Sequence, residues 1–261
     1  NYEDLAPWYD RTESLIGVYG SNEGLENTPD SSPGVLQPPP APRASELLTR
    51  KACRDLDIPT VPCHLAIMTE RQDHEQLPGR LFPNNPLAQR VVAESMRTRA
   101  ACFYATPCGR GCSIKANFQS TTVLIPPALA TGNLDIRTDA MVREVTVDAQ
   151  GRATGVHYVD KTTRQDVHVR GRVVVLAASA CESARILLNS TSSQFPNGLG
   201  NGSGVVGKYI MDTVGAGLGG HIPAMENTPA HNTDGASALH LYMPWWLYQE
   251  QARGQLDFAR G

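Results

Sequence analysis

The chain has 261 residues and carries 23 lysines and arginines against 26 aspartates and glutamates, which gives a formal net charge of −3. This length can bury one large core or two smaller ones, and the slightly acidic balance argues against binding nucleic acid through a basic surface. The longest apolar run begins at Val173 and ends at Cys181, about half the length needed to cross a bilayer.

The first predicted element is a helix over residues 3–16, where apolar side chains recur at helical spacing and Gly17 suits a left-handed C-terminal cap. The chain opens at Asn1 inside this pattern, without methionine, and ends at Gly261 with no natural stop. We therefore expect a piece of a longer protein. The absence of a secretory signal in such a piece says little about localisation.

A proline-rich segment over residues 19–43 follows the first helix. Proline disfavours both a helix and a central strand, so this segment is predicted to be a surface lid, an excursion over another domain or a bare linker. Ser45 is predicted to cap a second helix that runs to about Leu56. Residues 60–68 are predicted to form a strand.

The densest group of reactive side chains is the run Cys102-x5-Cys108-x3-Cys112, which holds three of the six cysteines. Gly109-Arg110-Gly111 lies between the last two of them. Thiolates in a glycine-containing loop suit a soft metal or an iron–sulfur cluster, because backbone turns can bring the sulfurs onto one centre. The spacing leaves two other interpretations open: a structural disulfide with a spare thiol, or three unrelated buried cysteines.

The other three cysteines are predicted to have structural roles. Cys53 and Cys63 are separated by nine residues, so they suit either a disulfide in an exported protein or two core thiols. Cys181 opens a predicted helix, and we expect a small buried packing residue there rather than a thiol activated by the helix dipole.

The second half of the chain has the clearest pattern. A helix interrupted by prolines is predicted at 121–130, a short strand at 134–136, and an antiparallel meander at 142–147, 154–159 and 164–169. The apolar run 173–176 is typical of a strand buried on both faces of a parallel sheet, and a helix follows at 182–188. Within that helix, Glu182 and Arg185 are expected to be solvated or capping charges.

Together these elements indicate a chain of mixed α/β and α+β class. We predict part of a Rossmann-like dinucleotide-binding domain with an antiparallel meander, followed by part of an antiparallel-sheet substrate domain. The run Gly202-x-Gly204-x-x-Gly207 matches the dinucleotide fingerprint in spacing. It follows a polar loop instead of a strand, so we do not assign it to a cofactor.

Four segments, at residues 5–20, 132–156, 173–188 and 197–212, carry a likeness to a known family. In this order they resemble the glucose–methanol–choline (GMC) family of flavin oxidoreductases. The likeness is closest to bacterial sugar dehydrogenases of that family, some of which have the same three-cysteine spacing at the same place. Those enzymes usually have proline after the third cysteine, whereas this chain has Ser113.

The resemblance implies FAD as a cofactor. By similarity, Val142 would hold the adenine through backbone groups, and Ala177, Ala178 and Ser179 would lie close to the ADP half, where small residues leave room for the cofactor. Each assignment has a plainer alternative. Val142 also suits an inward-facing strand position, and the small residues also suit tight packing between strand and helix.

The resemblance also implies that Cys102, Cys108 and Cys112 ligate a three-iron, four-sulfur cluster that takes electrons from the flavin. The implied substrate is a sugar or alcohol, the implied partners are a small subunit and a cytochrome or quinone acceptor, and the implied location is periplasmic or membrane-associated. The family's flavin fingerprint is expected before Asn1 and its catalytic histidine after Gly261, so no catalytic residue is assigned. Two alternatives remain: a zinc-stapled loop, and a non-catalytic module that offers an interaction surface.

Three domains are expected from this likeness. Residues 1–45 would form a helix and a proline-rich lid or excursion, and residues 46–212 would form the portion of the FAD-binding domain that holds the cysteine loop and the meander. Residues 213–261 would begin the substrate-binding domain.

Overall fold

A computed structural model describes residues 1–25, 29–103, 108–212, 215, 217, 219–227 and 241–256. The chain divides into two compact units, one comprising Asn1–Leu134 with Ile222–Gly261 and the other comprising Asp135–His221. The regular structure in the described part of the first unit is mainly helical, and the described part of the second contains an antiparallel sheet with one helix. Among the described helices, none is both long and apolar enough to cross a membrane.

The described residues of the first unit contain helices, two short 3₁₀ turns and one small antiparallel sheet. Its helices are α1 (Tyr2–Ile16), α2 (Ala44–Asp55), α3 (Leu77–Leu81), α4 (Pro86–Arg97), α5 (Ser120–Val123), α6 (Ile125–Ala130) and α8 (Tyr248–Ala252). The sheet pairs β1 (Val61–Pro62) with β5 (Leu241–Tyr242), and the 3₁₀ turns are Cys108–Arg110 and Pro223–Met225.

The end of α1 confirms the predicted first helix. Gly17 adopts a φ of 78°, and its N–H donates to the Glu13 carbonyl at 2.9 Å. A Cβ at this position would lie 2.8 Å from Cγ of Met68, so the glycine also permits close packing. Glycine is the residue most often found in this left-handed conformation at the C-terminal end of a helix.

The second unit is built on the predicted meander. Strands β2 (Ala140–Val147), β3 (Ala153–Asp160) and β4 (Asp166–Arg170) form an antiparallel sheet in that order, and α7 (Ser179–Asn189) follows. The first turn is closed by Asp148, whose carboxylate accepts from the N–H groups of Gln150 and Arg152 at 2.9 Å each. The predicted meander and the helix after it, α7, are therefore confirmed.

Three of the predicted local features are wrong. Arg43, not Ser45, is the N-cap of α2, because the Glu46 carboxylate accepts the Arg43 backbone N–H at 2.8 Å. The strand expected over residues 60–68 is reduced to Val61–Pro62, since a proline cannot donate to a ladder and interrupts pairing. Residues 134–136 form no regular strand.

The buried parallel strand expected over residues 173–176 is also wrong for the described structure. This segment has no strand hydrogen bonding, and the side chains of Val173 and Val175 are 79% and 80% exposed. A parallel strand forms against neighbouring strands. The described residues of this unit provide the three antiparallel strands and none parallel to this segment.

Candidate functional site

The three cysteines of the predicted metal loop pack against one buried cluster. Cys102, Cys108 and Cys112 are half-buried and contact a cluster that is formed by Tyr19, Ile67, Met68 and Ala116. The rest of the Cys102–Cys108 interval, residues 104–107, lies outside the described residues. The fold thus brings all three thiols to the same small core.

Backbone hydrogen bonds define the frame of this loop. At its entry, the Cys102 N–H donates to the Met68 carbonyl at 2.8 Å. At its exit, the Lys115 N–H donates to the Cys112 carbonyl at 3.1 Å, and the Ala116 carbonyl accepts from Met68 N–H at 3.0 Å. Both ends of the loop are therefore fixed to the same segment around Met68.

All six cysteines lie in the described part of the chain, and none forms a disulfide bond. Within that part, no three His, Cys, Asp or Glu side chains are close enough together to hold a metal ion. The chemistry of the donors nevertheless fits an iron–sulfur cluster, because three partly buried thiols face one apolar core. Ligation would require the thiols to converge from the positions in this structure.

Arg99 lies behind the cysteine loop and is the largest fully buried side chain of the described residues, at 2% exposure. Its Nε donates to the Lys115 carbonyl at 3.0 Å, and its Nη2 donates to the Ile16 carbonyl at 2.8 Å. Burial lowers the pKa of Arg99 to about 10, and the negative charge of an ionised Cys112 acts in the opposite direction. The guanidinium therefore lies within electrostatic reach of the three-cysteine loop.

The predicted flavin-contacting residues all lie in the second unit. Val142 is half-buried in β2 opposite Tyr158, and its carbonyl accepts from Nη2 of Arg185 at 2.8 Å. Ala177 and Ala178 lead directly into α7, and Ser179 begins this helix with a φ of 67°. A serine in the left-handed region marks a sharp turn. The roles of these four residues in cofactor binding remain predictions.

Arg185 has a contact that the sequence analysis missed. It forms an ion pair with Glu182 at 2.8 Å, as expected for charges three residues apart on a helix, and the hydrogen bonds from Arg185 lower the pKa of Glu182. It also reaches the Val142 carbonyl, which ties α7 to β2. We expected solvated or capping charges at these two positions, and predicted neither the ion pair nor the contact with the strand.

The other three cysteines and the glycine run at residues 202–207 lie outside the three-cysteine loop. Cys53 is buried in α2, with its Sγ 3.5 Å from Sδ of Met243, so it is a core thiol. Burial raises the pKa of the half-buried Cys63, and the charge of Glu46 adds to this effect. Cys181 is exposed, so the expected packing role is wrong. Residues 202–207 form turns, and no helix begins within the described residues 208–212.

The family model and the relatives that this chain matches indicate the same class of protein, an oxidoreductase. Residues 87–222 match the family model described as GMC oxidoreductase. The chain is 28% identical over 211 residues to 2-methyl-1,2-propanediol dehydrogenase of Mycolicibacterium austroafricanum, covering 81% of this chain and 33% of that protein. It is 30% identical over 236 residues to 6'''-hydroxyparomomycin C oxidase of Streptomyces lividus, covering 88% and 38%.

A third relative is the fructose dehydrogenase large subunit of Gluconobacter japonicus, 27% identical over 218 residues, covering 84% of this chain and 35% of that protein. The chain therefore spans about a third of the length of these relatives. The matched region 87–222 contains all three loop cysteines and all four predicted flavin-contacting residues.

Proposed function

The chain belongs to the GMC oxidoreductase family, and on this premise we propose that it is part of an FAD-dependent dehydrogenase acting on a sugar or alcohol. In this proposal, electrons leave the flavin through an iron–sulfur cluster toward an external acceptor. The observation that carries the proposal is the family match over residues 87–222, which includes the three cysteines packed on one buried cluster. The names of the relatives, which denote oxidation of a diol, an aminoglycoside and fructose, support the substrate class.

The family implies FAD, which supplies a hydride acceptor for oxidation of a carbinol carbon. In the intact enzyme, this chain would hold the nucleotide end of FAD. The backbone of Val142 lies in β2, and the small side chains of Ala177, Ala178 and Ser179 leave space for a ligand close to the main chain. We assign no proton-transfer step to a residue of this chain.

Cys102, Cys108 and Cys112 would ligate the cluster. The three-cysteine count suits a three-iron, four-sulfur centre, which supplies one-electron transfer. The term "large subunit" in the name of the fructose dehydrogenase relative supports the idea of a small subunit for this protein as well. We propose a cytochrome or a quinone as the external acceptor. We extend the proposal to the expected domains, with residues 46–212 in the FAD-binding domain and 213–261 in the substrate-binding domain, and to a periplasmic or membrane-associated location.

Substitution of Cys108 by serine in the intact protein tests the electron route. Cys181→Ser is the matched control, since Cys181 is exposed and lies outside the loop. Fructose, 2-methyl-1,2-propanediol and 6'''-hydroxyparomomycin C, taken from the names of the three relatives, are the first substrates to add anaerobically. For a substrate that bleaches the flavin, C108S should still bleach but should reduce an added cytochrome at least about 100-fold more slowly, because one-electron transfer needs the cluster. C181S should behave as wild type.

Two results with the C108S variant, and two with the wild type, would contradict this proposal. Undiminished cytochrome reduction by a C108S variant that has lost its iron would exclude the cluster as a relay. Loss of flavin bleaching in a folded C108S protein would mean that the loop serves substrate oxidation directly. Zinc without acid-labile sulfide in the wild type would favour the stapled loop. A purified intact protein that binds no flavin would favour the non-catalytic module.

A further inference from the structure

We propose that a basic hollow at one end of the meander sheet binds a phosphomonoester group. The hollow has a volume of about 590 Å³ and lies beside the turn between β2 and β3. Asp148, Arg152, Thr154, Arg170 and Arg172 supply the polar side chains of its wall. This site goes beyond the proposed function, which gives none of these residues a part in substrate oxidation or electron transfer.

The sheet holds the backbone of two of these arginines in place. Arg170 is the last residue of β4 and pairs with Gly155 of β3. The N–H of the next residue, Gly171, donates to the Thr154 carbonyl at 2.9 Å, which keeps the chain against β3 up to the residue before Arg172. The positions of Arg170 and Arg172 therefore come from main-chain bonding and not from contacts of their own side chains.

Arg170 and Arg172 lack the carboxylate partner that most arginines of the second unit have. Ion pairs at 2.8–3.3 Å are formed by Arg137, Arg143, Arg152 and Arg185. By contrast, the exposed side chains of Arg170 and Arg172 form no ion pair or hydrogen bond with any residue that the structure describes. Their guanidinium N–H groups are thus available to a ligand.

Asp148 is the single carboxylate among the described residues that line the hollow. Its Oδ1 accepts the N–H groups of Gln150 and Arg152 at 2.9 Å each, and its Oδ2 accepts Nε of Arg152 at 3.0 Å. These bonds use the carboxylate to close the turn and leave the two terminal nitrogens of Arg152 for another acceptor. Three arginines and one aspartate give the hollow a formal charge of +2.

This charge and the donor set indicate the class of ligand. A phosphomonoester carries a charge of about −1.5 to −2 near neutral pH and offers three acceptor oxygens, whereas a carboxylate carries a single charge. Guanidinium groups bind phosphate oxygens in pairs, and such charge-assisted bonds are the strong ones. The Thr154 hydroxyl lies 3.0 Å from Oγ1 of Thr146, so it can accept from Thr146 and donate to an anion.

The hollow is separate from the predicted flavin contacts. Val142 lies near the start of β2 and Asp148 follows its end, so roughly 20 Å of strand separates them at a rise of about 3.3 Å per residue. None of the four residues predicted to contact FAD lines the hollow. We therefore assign the hollow to a second phosphorylated ligand and not to the pyrophosphate of the flavin.

The test uses the intact, flavin-loaded protein at low ionic strength, because salt screens exposed charges. The probes are inorganic phosphate, glycerol phosphate, and phosphatidylcholine vesicles with and without phosphatidic acid, which presents glycerol phosphate as a lipid headgroup. Isothermal titration measures the two soluble probes, and co-sedimentation measures the vesicles.

Arg170→Gln and Arg172→Gln should each weaken binding at least about tenfold, because each removes a pair of charge-assisted hydrogen bonds. Arg164→Gln is the matched control, since Arg164 is also exposed but lies between β3 and β4, outside the hollow. Its effect should stay within about twofold, because solvent screens a charge that does not touch the ligand. Circular dichroism checks that all three variants are folded.

The two sources of a phosphomonoester give different results. Binding of glycerol phosphate without binding of the vesicles would identify a soluble ligand, and vesicle binding that requires phosphatidic acid would identify a membrane lipid. Either result supports the site if Arg170→Gln or Arg172→Gln weakens it. Failure of the wild type to bind any probe would overturn the proposal. Equal weakening by Arg164→Gln and the two hollow variants would also overturn it, since overall charge would then account for binding.

Discussion

Ser190 joins the end of α7 to β2, and its replacement by alanine tests the packing of the second unit. Its Oγ accepts the Val145 N–H at 2.8 Å and donates to the Ile186 carbonyl at 2.6 Å, and the side chain is buried, with 3% of the residue exposed. Alanine would leave the Val145 N–H buried without an acceptor, which costs about 1–3 kcal/mol. The Ile186 carbonyl still accepts the Ser190 backbone N–H at 3.0 Å, so losing the Ser190 hydroxyl as a second donor adds little further cost.

We therefore expect Ser190→Ala to lower the free energy of unfolding by about 2 kcal/mol. Ser193→Ala is the matched control, because Ser193 is exposed. Urea denaturation of the intact protein measures the change in the free energy of unfolding. Amide hydrogen exchange at Val145 localises this change. Where exchange requires this unit to open, a loss of about 2 kcal/mol should raise the exchange rate roughly 30-fold. Equal stability of the two variants, within about 0.5 kcal/mol, would show that this hydrogen bond does not hold α7 on the sheet.

Two further predictions concern the meander. Gly155→Ala should destabilise the protein by about 1–3 kcal/mol in urea denaturation, because the new Cβ would overlap the Val169 carbonyl oxygen, whereas Gly202→Ala, which meets no atom within 4 Å, should be near neutral. The N–H of Arg152 is the main cause of the lowered pKa of Asp148. The pKa of Asp148 is higher in the unfolded chain, so this stabilisation is fully present above the unfolded pKa and is lost as the pH falls through the folded pKa. Asp148→Asn should therefore flatten the dependence of stability on pH below about pH 4. An equally steep acid loss in Asp148→Asn would contradict this role.

The sequence predicted those elements whose cause is local. The cap at Gly17 follows from one glycine after a periodic segment, and the meander follows from runs in which apolar and polar residues alternate. These features depend on residues a few positions apart. They were confirmed because the physical cause lies within the window that a sequence pattern covers.

The features that were missed depend on contacts distant in the chain. Residues 173–176 have the composition of a buried strand, but a strand also needs partners, which the pattern cannot supply. In the same way, the hydrogen bond from Arg185 to Val142 spans 43 positions, and that from Arg99 to Leu15 spans 84. A charged residue has the same local signature whether it is solvated or buried, so burial of Arg99 could not be predicted.

The hydrogen bonds that hold the cysteine loop determine how its chemistry can be tested. Backbone groups of Met68, Cys102 and Ala116 close the frame, and the Arg99 guanidinium joins it to α1. In none of these bonds does a cysteine sulfur take part. A serine at Cys108 should therefore leave the frame folded while it removes one thiol from the loop. For this reason, loss of electron transfer in that variant would report on ligation rather than on unfolding, provided that the hydrogen exchange of Cys102 and Met68 is unchanged.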